Sequence, residues 1–169
     1  MNISDQKLRT DRLVFYAKDV DRLDAELDGF LEFSKAKCVM LVDREGHMVT
    51  RRGEMVTESQ ESLAALIAGS FAATKETARL LGEEQFAALS HQGERHSIQL
   101  SIVGPRTLLA IVWDERTNLG LIRFYAQETA RRLNEIFADI LERAPGAEDD
   151  EALEDGYSEQ ATAALDDLF

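Results

Sequence analysis

The sequence predicts an α/β domain of the α+β kind, in which helices cover both faces of an antiparallel sheet. Three long stretches repeat apolar residues at helical spacing, and short apolar runs separated by turn signals lie between them. The order along the chain is α-β-β-α-(β)-β-β-α, with the bracketed strand the weakest. Short turns between consecutive strands predict antiparallel pairing. The 169 residues, 44% of them hydrophobic, suit one globular domain plus an appendage.

The first part of the chain predicts a helix followed by a pair of strands. The helix spans Lys18 to Ser34, where apolar residues recur every three or four positions between charges. The apolar run 38–42 predicts a buried strand, and residues 43–46 have the composition of a turn. Residues 47–51 then return as the partner strand.

The second helix is predicted to begin near Thr57 and to end near Gly82. Thr57 and Gln60 have the spacing of a capping box, and glycine is common directly after a helix. We expect residues 83–90 to form a short helical or irregular link. A short strand over 90–95 is the weakest of the predicted elements.

The last part of the domain predicts two strands and a third helix. Residues 97–103 alternate between polar and apolar, and residues 107–113 are almost wholly apolar, with a Gly-Pro turn between them. The helix runs from about Leu121 to Arg143. Its predicted buried stripe consists of Ile122, Tyr125, Ala126, Thr129, Leu133, Ile136, Phe137 and Ile140.

The net charge of −13 is concentrated beyond residue 143. Nine of the 32 acids follow Arg143, the last basic residue, so residues 1–143 carry 23 acids against 19 bases. This acidity disfavours nucleic acid and anionic membrane surfaces as partners, because both are negatively charged. The apolar stretches are also far shorter than the roughly 20 residues that a membrane-spanning helix needs, so we expect no membrane insertion.

The N-terminal residues and the cysteine content indicate the compartment. Residues 1–12 are polar, are expected to be flexible and contain no apolar segment typical of a signal peptide. Cys38 is the only cysteine, which excludes a disulfide within one chain and fits a reducing compartment. Because it lies in an apolar strand, we interpret it as a core residue rather than a nucleophile. We expect a cytoplasmic location.

The sequence contains no recognised catalytic or nucleotide-binding motif. It has no GxxxxGK[ST], GxGxxG, HExxH, CxxC or GxSxG pattern, and we predict that it is not an enzyme and holds no metal or other cofactor. His91, Glu94 and His96 are a weak alternative as metal ligands, but zinc sites need three or four convergent ligands. Asp43 and Glu45 are better explained as turn residues than as paired catalytic carboxylates.

One face of the second helix has an unusual composition. With Leu63 at zero and 100° per residue, one stripe is predicted to face the core. It consists of Leu63, Leu66, Ile67, Ser70, Thr74, Ala78 and Leu81. The opposite face is then predicted to contain Ala65, Ala68, Gly69, Ala72, Glu76 and Arg79.

Small residues on an outer helix face have two interpretations. Alanine is the best helix former, so helix propensity alone is one of them. Gly69 argues against it, because a glycine within a helix costs roughly 1 kcal/mol relative to alanine. The other interpretation is close approach of a partner or of a second copy of the chain.

Three stretches of the sequence resemble the roadblock/LC7 family, and the resemblance extends from about Leu13 to Leu141. The stretches are VMLVDREGHMVTRRGE, SLAALIAGSFAATKETARLLGE and HQGERHSIQLSIVGPRTLLAIVWDERTNLGLIR. The third is similar to the bacterial gliding-motility members, as are an LVFY segment near the N-terminus and an acidic tail with Asp-Asp-Leu-Phe. The resemblance implies three layers: a five-stranded antiparallel sheet with one central helix on one face and two helices on the other.

The resemblance also implies a function and a binding surface. Gliding-motility members regulate a Ras-like small GTPase as homodimers, without an active site of their own and without donating an arginine finger. They favour the conformation in which the GTPase's own catalytic residues are in place. The GTPase platform carried over from the family consists of Ala65, Ala68, Gly69, Ala72, Lys75, Glu76 and Arg79.

Two further expectations depend on this resemblance. The favoured function is activation of GTP hydrolysis, and the alternative is a roadblock scaffold or adaptor that tethers a polarity or motility complex without changing GTP turnover. The resemblance adds concentration at a cell pole to the expected cytoplasmic location.

The predicted organisation is a flexible segment 1–12, a roadblock/LC7 domain 13–144 and an acidic flexible tail 145–169. Residues 145–157 have the composition of a solvated linker. Apolar residues return at helical spacing further on, opposite Asp166 and Asp167: they are Ala161, Leu165, Leu168 and Phe169. One hypothesis is that the whole tail is disordered. The other is that the short amphipathic end, through Leu165, Leu168 and Phe169, contacts the bound GTPase.

Overall fold

The computed structural model describes residues 15–54 and 56–143, which form three helices and five strands. In chain order the elements are α1 (Ala17–Ser34), β1 (Cys38–Asp43), β2 (Met48–Gly53), α2 (Gln60–Leu80), β3 (Ala88–Gln92), β4 (Ser97–Val103), β5 (Thr107–Trp113) and α3 (Leu119–Glu142). The expected flexible N-terminal segment, the acidic tail and the tail contact residues lie outside the described residues.

The five strands form one antiparallel sheet in the order β2-β1-β5-β4-β3. Strand β5 lies at the centre and pairs with both β1 and β4, with Leu41 opposite Leu109 and Leu100 opposite Ala110. The strands next to one another in sequence pair through short turns, as predicted. Strands β2 and β3 form the two edges.

The helices complete three layers, and this confirms the predicted fold class. Helices α1 and α3 pack on one face of the sheet, and α2 packs on the other. Successive residues of a strand point to opposite faces, so β1 contributes Val39 and Leu41 to one core and Cys38, Met40 and Val42 to the other. The continuous apolar runs in β1 and β5 are therefore explained by burial on both sides.

Helices α1 and α3 are joined by large side chains and by one buried ion pair. Leu27, Phe30, Leu133 and Phe137 fill the space between these helices and the sheet, with many smaller residues around them. At one end of the pair Arg143 binds the fully buried Asp19, with Arg143 Nη1 2.7 Å from Asp19 Oδ2. The same carboxylate accepts a hydrogen bond from the Tyr16 backbone N–H at 3.0 Å.

The turn between β1 and β2 packs against α2. Asp43 Oδ1 accepts hydrogen bonds from the backbone N–H of Glu45, at 2.9 Å, and of His47, at 2.8 Å. Gly46 has a φ of +95°, and a Cβ there would lie only 2.9 Å from the Ala65 Cα. The turn therefore requires glycine both for its backbone conformation and for its close approach to the helix.

The start of α2 differs from the predicted capping box. The helix begins at Gln60 with Ser59 at the N-cap, whereas Thr57 was predicted to cap it. Thr57 Oγ1 instead accepts a hydrogen bond from the Ser59 N–H at 3.2 Å, so it stabilises the turn that precedes the helix. The helix end agrees with the prediction: Gly82 has a φ of +80° and the Glu83 N–H donates to the Ala78 carbonyl at 2.9 Å.

The third strand begins and ends earlier than predicted. It begins at Ala88, inside the segment predicted as a link, and it ends at Gln92 rather than at residue 95. Residues 93–96 form the turn, in which the Gly93 N–H donates to the His96 carbonyl at 3.0 Å. Pairing with β4 determines these limits, and the short polar sequence of β3 shows little periodicity of its own.

Among the described residues, none of the three helices has both the length and the hydropathy that crossing a membrane requires.

Candidate functional site: the outward face of helix α2

Helix α2 lies on the sheet with a different face from the one predicted. The residues buried against the strands are Ala64, Ile67, Ala68, Phe71 and Ala78. Their mean direction is rotated by roughly 80° from the predicted stripe, at 100° per residue. Leu66, Ser70 and Leu81, predicted as core, are exposed. The prediction assigned leucines to the core, whereas alanines let the helix lie close to the sheet.

This rotation changes the position of two of the predicted platform residues. Ala68 is only 7% exposed and lies at the sheet side of the helix rather than on its outer face. Ala65 is exposed, but its small side chain is required by the Gly46 turn that packs on it. The small size of these two alanines is thus explained by packing within the chain.

The outward face of α2, here called the α2 face, consists of Ala65, Leu66, Gly69, Ala72, Ala73, Glu76 and Leu80, with Leu81 beside its end. Leu66 is 68% exposed, Leu80 74% and Leu81 69%. Leu66 lies near the start of the helix, and Leu80 and Leu81 lie about 21 Å further along its axis. Exposed apolar side chains of this kind mark interaction sites. The sequence interpretation missed them because it assigned Leu66 and Leu81 to the core.

Gly69 is the residue of the α2 face whose small size has no explanation within the chain. A Cβ at this position would have no atom of the described residues within 4 Å. The glycine therefore destabilises the helix by roughly 1 kcal/mol relative to alanine without relieving any crowding. Close approach of another molecule would explain it.

The remaining predicted platform residues carry charge. Lys75, Glu76 and Arg79 are all exposed. Arg79 Nε lies 2.8 Å from Glu76 Oε1, and this hydrogen bond raises the pKa of the Arg79 guanidinium. The pair largely neutralises itself, so Glu76 adds less negative charge to the α2 face than its sequence suggests.

Strand β3 leaves one edge of the sheet open on its outer side. Its residues are mostly exposed, and the order of the sheet places no further strand of the described residues beside it. The other edge strand, β2, is tied to α1: Thr50 Oγ1 lies 2.5 Å from Asp24 Oδ1, and Arg52 forms two hydrogen bonds with Asp28. An open edge can pair with another chain.

Three of the arginines near turns are held by contacts within the chain. Arg52 binds Asp28 in a bidentate pair, and Arg51 donates to the Gly53 carbonyl at 3.0 Å. Arg116 binds Asp114 and Glu54; these contacts raise the pKa of the guanidinium, and Arg116 holds the pKa of the Asp114 carboxyl below its usual range.

The residues considered as metal ligands or nucleophiles lie apart from the α2 face. Among the described residues, His91, Glu94 and His96 do not bring their ligand atoms together, and His96 Nε2 instead lies 3.2 Å from Lys37 Nζ. A different trio, centred on the β1–β2 turn, does have its ligand atoms within 4.8 Å of one another: Asp43, Glu45 and His47. Two backbone N–H groups already bind one Asp43 oxygen, which is the arrangement of a turn.

Cys38 is fully buried in the core between the sheet and α2. Burial raises the pKa of its thiol, and a contact with Arg51 opposes this shift without reversing it. The thiolate is therefore disfavoured, and the residue packs as a small apolar side chain.

The architecture and the matched residues define the class of protein. The family model of the Roadblock/LC7 domain matches residues 23–112, more than half of the chain, and the chain belongs to this family. Among solved structures it is similar to MglB from Myxococcus xanthus, with 33% identity and a TM-score of 0.72 over 78% of this chain and 99% of that one.

Two further solved structures are similar to the chain to about the same degree. The gliding protein MglB from Thermus thermophilus is 31% identical, with a TM-score of 0.70, over 75% of this chain and 96% of that one. An MglB described as having a tetrameric arrangement is 30% identical, with a TM-score of 0.71, over 76% of this chain and 96% of that one. Curated protein sequences gave no match.

Proposed function

We propose that the chain is a regulator of a Ras-like small GTPase of the MglA type, and that it activates GTP hydrolysis as a homodimer. The observation that carries the proposal is the α2 face, where Leu66 is exposed one turn from a glycine that the fold itself does not need, and Leu80 and Leu81 are exposed at the end of the helix. Membership of the Roadblock/LC7 family and the similarity to gliding proteins support a regulatory role in motility or polarity.

The proposed mechanism is a shift in the population of GTPase conformations. The chain binds the conformation in which the GTPase's own catalytic residues are in place, and differential affinity for that conformation raises its population. No chemical step then occurs on this chain, so it needs no active site or cofactor of its own.

This mechanism predicts that no single arginine dominates the effect. A donated arginine finger contributes about 10³–10⁵ in rate. Five arginines lie in or beside strands and turns: Arg51, Arg52, Arg95, Arg106 and Arg116. Each substitution to alanine should change stimulated turnover far less than that. If one variant loses nearly all stimulation and still binds the GTPase, the conformational mechanism is wrong.

The homodimer has support from the open edge of β3. This edge offers backbone N–H and C=O groups that pairing would satisfy. Two copies paired at β3 by a two-fold axis would form one continuous sheet with their two α2 faces on the same side, and both faces would stay open to the GTPase. The tetrameric arrangement described for one similar MglB is consistent with association of copies of this chain.

Sedimentation at micromolar concentration tests the dimer. We expect a mass of at least twice 18.9 kDa. A mass of one chain throughout that range would contradict the dimer and leave binding of the GTPase to be tested separately.

A second proposed contact with the GTPase is made by the C-terminal segment. Leu165, Leu168 and Phe169 form one apolar side of a segment tethered to the domain. Once the α2 face holds the GTPase, the tether gives this segment a high effective concentration near it. Removing residues 158–169 should weaken the complex or slow nucleotide exchange without affecting dimerisation. Unchanged affinity and exchange would mean that the segment does not bind.

The experiment that tests the proposed function measures GTP turnover by a purified Ras-like partner with and without the full chain. We expect faster hydrolysis at saturating chain, with no hydrolysis by the chain alone. Binding without any change in turnover would instead assign the chain an adaptor role. Absence of binding to the GTP-loaded form would overturn the proposal.

A further inference from the structure

A second exposed apolar surface lies on the opposite side of the molecule from the α2 face. It consists of Phe33 of α1 and of Leu121, Phe124 and Tyr125 of α3, and is here called the aromatic patch. Phe33 is 63% exposed and Phe124 67%. The three rings form one group: the Phe33 and Tyr125 centroids are 6.0 Å apart and nearly parallel, and those of Tyr125 and Phe124 are 5.2 Å apart.

The domain core does not account for this patch. Tyr125 was predicted to belong to the buried stripe of α3, but it is only half-buried, whereas Ile122 and Ala126 beside it are buried. Tyr125 packs against the core, whereas Phe33 stacks on its ring and Phe124 meets it edge to face from the solvent side. Two large exposed aromatic rings on either side of Tyr125 form an apolar surface that a binding partner can cover.

The length of the tail allows it to reach the patch. Helix α3 carries Phe124 about 27 Å from its last residue, Glu142, at 1.5 Å per residue. Residues 144–160 separate Arg143 from the amphipathic segment 161–169. A flexible chain of that length has a root-mean-square span of roughly 21–25 Å, and charge repulsion extends an acidic one further. The span therefore matches the distance, which is the condition for the highest effective concentration.

The chemistry of the segment also suits the patch. Its apolar residues fall on one side of a helix of the length that binds in grooves, and its other side carries Asp166 and Asp167. Two exposed cations lie close to the patch along the chain: Lys35 is two residues after Phe33, and Arg123 directly precedes Phe124. Within the part of the chain that the structure describes, neither forms an ion pair, so both are available to acidic residues of the tail.

We propose that the aromatic patch binds the amphipathic segment 161–169 of the same chain. Phe33, Phe124 and Tyr125 receive the apolar side of the segment, and Lys35 and Arg123 lie near its acids. Docking requires no GTPase, so its test is independent of the proposed function. In the free protein it holds the segment on the side of the sheet opposite the α2 face.

Paramagnetic broadening in the full chain tests this contact. A nitroxide on Gln127→Cys lies one helical turn from Phe124, and the native Cys38 is fully buried and protected from labelling. We expect loss of the amide signals of Leu165, Leu168 and Phe169. Phe124→Ser should restore them, because removal of one aromatic anchor lowers the ratio of docked to free segment about tenfold or more.

The matched control is Leu141→Ser, which changes an exposed leucine of the same helix outside the patch and should leave the broadening intact. Phe33→Ser is a second test on α1 and should behave as Phe124→Ser does. Full signals from the segment in the unmutated, spin-labelled chain would overturn the proposal. Equal loss in a mixture that carries the nitroxide on one set of chains and ¹⁵N on another would also overturn it, because the occupant would then be a second copy.

Discussion

The two helical layers of this domain use apolar residues in opposite ways. Helices α1 and α3 bury most of their large side chains, among them Leu23, Leu27, Leu133 and Phe137, and expose large ones at the aromatic patch and at Leu141. Helix α2 buries three alanines together with Ile67 and Phe71, and it exposes Leu66 and Leu80.

The difference shows that the α1–α3 layer buries more large apolar side chains, and it supports the proposal that the α2 face binds a partner. Burial of Leu, Ile or Phe contributes roughly 1.5–3 kcal/mol per side chain, and burial of alanine contributes much less. The α1–α3 layer therefore supplies most of the apolar stabilisation. The α2 layer has leucines directed away from its own sheet, where they are available to another molecule.

The largest expected effect is on partner binding. Ala72→Arg places a long charged side chain on the α2 face, and an uncompensated buried charge costs about 3 kcal/mol or more, which weakens binding about 100-fold or more. Ala25→Arg makes the same change at an exposed alanine of α1 and should bind normally. Titration calorimetry with the GTP-loaded GTPase compares the two. Normal binding by Ala72→Arg would remove α2 from the proposed interface.

The free energy of unfolding should respond to changes in the α1–α3 layer and hardly at all to changes on the α2 face. Leu133→Ala removes a fully buried side chain of α3 and should destabilise the fold by about 2–5 kcal/mol. Leu66→Ala on the exposed face should change the stability of the monomeric chain by no more than about 0.5 kcal/mol. Urea unfolding at low protein concentration measures both. Equal losses in the two variants would mean that the layers do not differ as described.

The next effect in size is a loss of folding stability on removal of the ion pair between α1 and α3. Asp19→Ala leaves Arg143 without its buried partner and should cost about 3 kcal/mol, the lower end of the range for a broken buried pair, because Arg143 is partly exposed. Asp21→Ala, at an exposed position two residues away, is the control. Thermal unfolding measures the stability of both variants. A loss in Asp19→Ala no greater than in the control would show that the pair does not stabilise the layer.

The smallest effect separates two helical glycines, of which Gly69 is exposed and Gly29 is half-buried. Gly29 of α1 and Gly69 of α2 both have room for a Cβ, so alanine at either position should stabilise the free chain by about 1 kcal/mol or less. Only Gly69→Ala should weaken GTPase binding, because the proposed interface includes the α2 face and excludes α1. If Gly69→Ala stabilises the chain and binds as tightly as the unmodified protein, the glycine has no role in close approach.

The comparison of layers also explains what the sequence could and could not predict. Helix α1 and strands β4 and β5 were predicted within a residue of their observed limits, because they are bounded by clear changes in pattern. Helix α3 begins two residues earlier than predicted, because Asn118 caps it through the Leu121 N–H. A cap of this kind depends on a polar side chain and the local backbone conformation, so the spacing of apolar residues does not reveal it.

The main error of the sequence-based prediction concerns which face of α2 lies on the sheet. Hydrophobic periodicity assigns the largest apolar residues to the core, and this rule holds for most of α1 and α3. It fails for α2 because Leu66 and Leu80 face away from the sheet, Leu63 is only partly buried and alanines make the close contacts. The Ala65 contact with Gly46 joins residues 19 positions apart, so helical spacing alone could not reveal it.

Methyl NMR of the full chain gives the most direct test of the difference between the layers. Leu66, Leu80 and Leu81 report on the α2 face, and Leu141 reports on the α1–α3 layer away from the aromatic patch; all four are exposed. On addition of the GTP-loaded GTPase we predict that the first three methyl signals shift and that the Leu141 signals do not. Shifts at Leu141 with none at Leu66, Leu80 and Leu81 would contradict the assignment of the α2 face as the partner-binding surface.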